Sequence, residues 1–367
     1  MRTFLREFIS LFKTAFLVLI LIFGSCFCFA TDIEGSEIKG EPCAFSEVWG
    51  YVMEGLENEF DAKSPITDVG YFSATVNTYG ELVGVPKRSK IPSSYKGRVH
   101  LVTSCDGRSL SHFAISPDFP LREKLISDLV REAESFDGLQ IDYEYIPGRD
   151  AQNFLTFLEE IRKRLPRGKI FSVAVPARMR TISDDIYHYP KIAALCDRVF
   201  IMAYDEHWST SAPGSIASMD WCKKIASYAK TVIPAEKLVI GLPSYGRTWG
   251  RTWNRAFYHS GVKRIWRENG KPEIKRTKGI PHFSFTVPLS VTCYYEDDYS
   301  LVERCRMYEQ MGIGKIGFWR VGFEESSFWK WIKIVPERKS LVRAIFHQTK
   351  MEGQGNYDFV LALQTLR

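Results

Sequence analysis

Two apolar periodicities divide the chain. Short runs rich in β-branched and aromatic residues read as strands. They recur at 46–54 (SEVWGYVME), 66–76 (ITDVGYFSATV), 98–105 (RVHLVTSC), 138–145 (GLQIDYEY), 170–178 (IFSVAVPAR), 198–206 (RVFIMAYDE), 237–245 (KLVIGLPSY) and 315–322 (KIGFWRVG). Between several of them the apolar positions fall one per helical turn. Leu121, Leu125, Leu129 and Ala133 line one face of LREKLISDLVREAESF; Phe154, Leu158, Ile161 and Leu165 do the same in DAQNFLTFLEEIRKRLP. Asp150 is placed to cap the second helix and Pro166 to stop it.

Strands alternating with helices predict a parallel sheet joined by crossovers. Eight strands is the number that closes a (β/α)8 TIM barrel of roughly 250 residues. The open, doubly wound alternative is disfavoured because no GxGxxG turn follows the first strand. One interval is too long for a simple crossover. The 65 residues from Trp249 to Ile313 predict a small β-rich insertion between strands 7 and 8, at about 250–300, followed by a helix over YSLVERCRMYEQM. The expected layout is a leader over 1–30, a linker over 31–45, the barrel over 46–335 and a tail over 336–367.

Composition changes this picture mainly at the N-terminus. The 367 residues are 45% hydrophobic and 14% aromatic, enough for a sizeable core, which excludes general disorder. Arg2, Arg6 and Lys13 precede the apolar run AFLVLILIFGSCFCFA, the anatomy of a secretory signal cut after Ala30. An uncleaved membrane anchor and, through FGSC before Cys26, a lipid tether are the alternatives; a secreted, periplasmic or envelope location is expected. Beyond residue 30 the net charge is +4, against +6 for the whole chain. That mild bias suits an anionic wall polymer or a lipid surface. No basic cluster is interleaved with aromatics, so no nucleic-acid partner is expected. Cys43, Cys105, Cys196, Cys222, Cys293 and Cys305 match no zinc spacing and read as buried free thiols. Neither a metal nor a cofactor is expected, and His207 reads as a loop hydrogen-bonder.

The fourth strand carries the candidate chemistry. Side chains at i and i+2 of a strand share a face, so Gln140, Asp142 and Glu144 point inward together, with Glu144 at the mouth. Asp137 has the other parity and reads as structural. Two carboxylates this close repel and displace each other's titration. A salt bridge to barrel lysines or arginines is the bland reading, but buried charges without function are rare. Barrel chemistry sits at the C-terminal ends of the strands, where Glu144 lies.

FDGLQIDYEY resembles the DGxxxDxE signature of glycoside hydrolase family 18, the chitinase family. FIMAYDEHW is similar to that family's sixth strand, GLPSYGRTW to its seventh, and Trp319 in GFWRVG falls at its eighth-strand tryptophan. The resemblance covers residues 46–335. Within the family it is nearest bacterial cell-wall and spore-cortex N-acetylglucosaminidases. It implies Glu144 as general acid and base, Asp142 orienting the substrate acetamido group, Tyr204 donating to the acetamido oxygen with Asp205 alongside, and Trp319 under the −1 sugar. Catalysis would be substrate-assisted, without an enzyme nucleophile. Gln140 stands where chitinases usually carry a third aspartate; it can donate a hydrogen bond to Asp142 but cannot share its proton. Tyr51, Phe72, Trp208, Tyr245 and Trp249 read equally as sugar platforms or as core and lid aromatics. The expected partner is an N-acetylglucosamine-containing polysaccharide, peptidoglycan before chitin, acted on by a monomer. A non-catalytic lectin on the same barrel and a lipid-anchored adhesin are the alternatives from other classes.

Overall fold

The computed structural model describes residues 37–250, 254–287 and 289–337. The expected leader, the first part of the linker and the tail from 338 lie outside these residues. The chain divides between Glu37 and Ile38, and the barrel belongs to the unit from Ile38 onward. Among the described residues, no helix is long and apolar enough to cross a membrane.

Eight parallel strands close on themselves. They are β1 (Glu47–Met53), β2 (Asp68–Val76), β3 (Arg98–Cys105), β4 (Gly138–Tyr143), β5 (Ile170–Pro176), β6 (Arg198–Met202), β7 (Leu238–Pro243) and β8 (Lys315–Trp319). Each pairs with the next, and β8 pairs with β1 in the register Lys315↔Glu47, so no edge is left open. All eight sequence runs became these strands. The helices are α1 (Arg108–Ile115), α2 (Leu121–Ala133), α3 (Ala151–Arg164), α4 (Tyr189–Leu195) and α5 (Met219–Val232), with α6 (His259–Glu268) and α7 (Asp298–Gln310) between β7 and β8. The first two crossovers carry only the 3-10 turns Glu57–Glu59 and Arg88–Lys90 and a short strand, Leu82–Val83.

Alternation along each strand builds two cores. Outward residues such as Leu139, Ile141 and Tyr143 join Phe154, Phe157, Leu158 and Ile161 of α3 in the layer between strands and helices. Inward residues Trp49, Tyr51, Val102, Ala174, Phe200 and Val239 fill the barrel itself. Gly70 and Gly241 admit the larger ones: a Cβ on Gly70 would lie 2.8 Å from the Tyr51 ring, and one on Gly241 2.8 Å from Phe200. The lower end is plugged by charge. Glu47 accepts from Arg98 at 2.9 Å and Arg198 at 2.5 Å, while Asp68 holds Arg98 at 2.6 Å and His100 at 2.8 Å. Burial alone would raise the Asp68 carboxyl, but its bonds to His100 and Arg98 hold it below its ordinary range.

The insertion is a five-stranded antiparallel sheet in the order Arg255–Tyr258, Tyr245–Trp249, Leu289–Tyr294, Ile280–Val287, Lys275–Thr277. It begins at Tyr245, earlier than the expected 250. Behind it, α7 is capped by Asp297, which accepts from Ser300 N–H at 2.9 Å. Arg304 on α7 pairs with Glu296 at 2.9 Å, both fully buried, and donates to the Ala217 carbonyl at 2.6 Å. At the lower end, Cys43–Phe45 runs parallel to Ile332–Ile334.

One local expectation fails. Asp150 occupies the cap position of α3, but its carboxylate makes no capping bond to the backbone. It accepts instead from the His112 ring at 2.9 Å and Asn153 Nδ2 at 2.9 Å, because α1 brings His112 over the helix start. The six described cysteines are all buried and unpaired.

Candidate active site

Strand β4 carries the site from the barrel interior to its mouth. Gln140, fully buried, is deepest. Its Oε1 accepts from the Tyr51 hydroxyl at 2.5 Å and its Nε2 donates to Ser172 Oγ at 3.2 Å. The expected donation from Gln140 to Asp142 is therefore not made: Ser172 on β5 takes the amide instead. Gln140 is a neutral floor fixed from both sides.

Asp142 sits one step higher, 8% exposed, and its Oδ1 is buried without a hydrogen-bond partner. Its carboxyl is pushed up to about 8, first by burial, then by Glu144 and Asp106. Glu144 follows the last residue of the strand. Its N–H donates to the Cys105 carbonyl at 3.2 Å, and its carbonyl accepts from Ser111 Oγ at 3.1 Å. Those bonds fix the half-buried backbone from which its side chain reaches the mouth. Burial raises its carboxyl as well, followed by the charges of Asp106 and Asp205. Two adjacent carboxyls held toward their protonated forms are suited to proton transfer.

Tyr204 and Asp205 follow the end of β6. Burial, then Tyr51 and Asp142, push the Tyr204 hydroxyl well above its ordinary value, so it stays a donor. Asp205 adopts left-handed backbone with φ 59°. Its carboxylate accepts from the Tyr245 hydroxyl at 2.5 Å and lies 3.7 Å from Arg247. Both partners belong to the first strand of the inserted sheet, which so holds the β6 loop. Trp319 ends β8, with its ring centroid 5.2 Å from both Tyr51 and Phe72. Tyr51 and Tyr245 are buried, and their hydroxyls fix Gln140 and Asp205. Trp249 is also buried and donates to the Trp208 carbonyl at 3.1 Å, while Trp208 is half exposed on the rim.

Asp137 accepts from Val99 N–H at 2.8 Å and Arg88 at 3.4 Å, a structural role. His207 meets the Ser215 carbonyl at 2.8 Å in its own loop. Among the described residues, no group of three or more His, Cys, Asp or Glu side chains could hold a metal. Sequence reading missed Asp106. The register Ser104↔Asp142 and Cys105↔Tyr143 brings Asp106, just past β3, level with Glu144. The readable signal was an acidic residue ending a barrel strand.

The chain resembles known proteins throughout this region. It is 28% identical over 210 residues to the glycosylase YvbX of Bacillus subtilis (strain 168), covering 54% of this chain and 61% of that protein. It is 24% identical over 302 residues to the cortical fragment-lytic enzyme of Bacillus anthracis, covering 76% and 70%. The crystal structure of the Bacillus cereus spore cortex-lytic enzyme SleL superposes with a TM-score of 0.71 at 22% identity, over 82% of this chain and 77% of that one. The profile of Glycosyl hydrolases family 18 matches residues 122–324, more than half of the chain and including β4, β6, β7 and β8. The chain belongs to glycosyl hydrolase family 18.

Proposed function

We propose that this protein is an exported, retaining glycoside hydrolase that cuts β-1,4 bonds after N-acetylglucosamine, with peptidoglycan as first polymer and chitin oligosaccharides as second. The observation that carries this reading is the buried, unpartnered Oδ1 of Asp142 beside Glu144. A buried acceptor without a donor is unfavourable. An acetamido N–H is such a donor, and bonding it favours the ionised form of Asp142. Substrate thus converts a neutral carboxyl into the anion that a developing oxazolinium cation requires. Tyr204 donates to the acetamido oxygen and holds it toward the anomeric carbon. Glu144 gives its proton to the departing oxygen, then takes one from the incoming water. Gln140, already bonded on both sides, passes no proton to Asp142.

The cortical fragment-lytic relative favours a wall polymer. A lectin reading makes an opposite prediction, because binding alone needs no acid at Glu144. Purified peptidoglycan and chitin oligosaccharides, digested in parallel, should release N-acetylglucosamine reducing ends that appear first as the β-anomer by NMR. Glu144→Gln should lose roughly 10²–10⁴ in rate and keep its affinity for oligosaccharide. A stable thiazoline analogue should inhibit strongly, as mimics of high-energy intermediates do. Binding with no turnover by the wild type would favour the lectin; an initial α-anomer would exclude acetamido participation.

A further inference from the structure

Strand β3 flanks β4 on the side away from β6. Tyr204 and Asp205 approach the carboxyl pair from β6, so the acetamido pocket between Asp142 and Tyr204 lies on that side. Asp106 lies on the other. The β3–β4 register places Ser104 beside Asp142 and carries Asp106 to the level of Glu144, with the same parity. The Glu144 N–H bond to the Cys105 carbonyl ties the two chain segments at that point. Asp106 is exposed, whereas Asp142 beneath it is buried with an unpartnered oxygen. Asp106 thus stands at the rim on the flank of Glu144 away from Tyr204.

We propose that Asp106 is a positioning residue of this site, a carboxylate set beside the acid by the neighbouring strand that disfavours a second negative charge at Glu144 and turns away leaving sugars that are themselves anionic. This rests on the hydrolase reading above. The other groups facing Glu144 are Asp142 on its own strand, Asp205 from the end of β6, and Tyr187 from the loop before α4. The nearby cations are engaged elsewhere: Arg247 lies against Asp205 at 3.7 Å, and Arg178 is bonded to Asp185 at 2.7 Å. Burial first, then the charges of Asp106 and Asp205, push the Glu144 carboxyl upward. Because Gln140 is an amide, the residue beneath Asp142 carries no charge, and negative charge reaches the acid from the neighbouring strand instead. A leaving sugar bearing a free carboxylate would meet Asp106, while a neutral, amidated or lactam-closed sugar would not be repelled.

The test uses the whole protein with ¹³C-labelled glutamate carboxyls. Glu144 is assigned by the resonance missing from Glu144→Gln, and its titration is followed in wild type, Asp106→Asn and Asp106→Glu. Asp106→Asn should move the midpoint to lower pH and Asp106→Glu should restore it; an unmoved midpoint overturns the proposal. A second arm compares two oligosaccharide aryl glycosides, one with a neutral leaving group and one bearing a carboxylate. Asp106→Asn should raise relative kcat/KM on the charged one by roughly two- to tenfold, the worth of a solvent-screened charge pair, and should move the alkaline limb of the pH profile downward. An unchanged ratio overturns the selectivity. If wild type turns over neither glycoside, the hydrolase reading fails, and the NMR titration still decides whether Asp106 acts on Glu144.

Discussion

Asp142 shows what the site demands of a single residue. Its carboxyl rises from 3.8 to about 8 on folding, chiefly through burial. At acid pH both folded and unfolded chains hold the proton, and the residue is neutral to stability. As pH climbs from about 4 toward 8, the unfolded chain releases its proton while the folded one keeps it, so folding loses free energy across that window. Above about 8 the loss levels off, on the order of a few kcal/mol. Asp142→Asn should therefore raise Tm, with a gain that is small at pH 4.5 and larger at pH 8, while hydrolysis falls. A gain that does not depend on pH would mean that the carboxyl is not strained by the fold. Asp142 and Glu144 were legible because their parity and spacing depend only on the strand period. Asp106 was not, because its position beside Glu144 depends on the register between two strands 38 residues apart in sequence. Nor could spacing reveal that Gln140 is held by Tyr51 and Ser172 rather than turned toward Asp142.

At the scale of elements, the eight strands were plain because each is a short apolar run buried on both faces. The start of the insertion was not. Tyr245–Trp249 follows β7 after Ser244 alone and reads as its continuation, yet pairs with Arg255–Tyr258 and Leu289–Tyr294. Its tyrosine and arginine give the inserted sheet a hold on Asp205. Tyr245→Phe removes the 2.5 Å bond and should lower kcat/KM by roughly two- to tenfold, the worth of one hydrogen bond, with Tm little changed. Full activity in that variant would mean that Asp205 does not need the tether. The buried Arg304–Glu296 pair fastens α7 to the end of the insertion and the β6–α5 loop. Arg304→Met strands a carboxylate in the core and should lower the unfolding free energy in urea by about 3–5 kcal/mol. Adding Glu296→Leu should recover much of it. No recovery in the double variant would shift the weight to the lost Ala217 bond.

For the whole molecule, the first and last described strands matter most. Cys43 and Phe45 are fully buried, and Val335 N–H donates to the Phe45 carbonyl at 2.9 Å. Phe45→Ala should cost about 3–5 kcal/mol, as large core truncations do, and its urea midpoint would reveal whether this clip belongs to the cooperative fold. Lys315, at the start of β8, bonds Glu337 from the same end. The barrel is thus entered and left through the floor of charged residues, with Glu144 at the opposite rim. That arrangement has a practical side. Enzyme immobilised on a resin through the exposed Lys333 of that last strand should present an unobstructed mouth and digest a soluble oligosaccharide at the rate of the free enzyme. The same polarity would suit display on a particle meant to work on an insoluble polymer sheet, since the attachment point and the cutting edge face opposite ways.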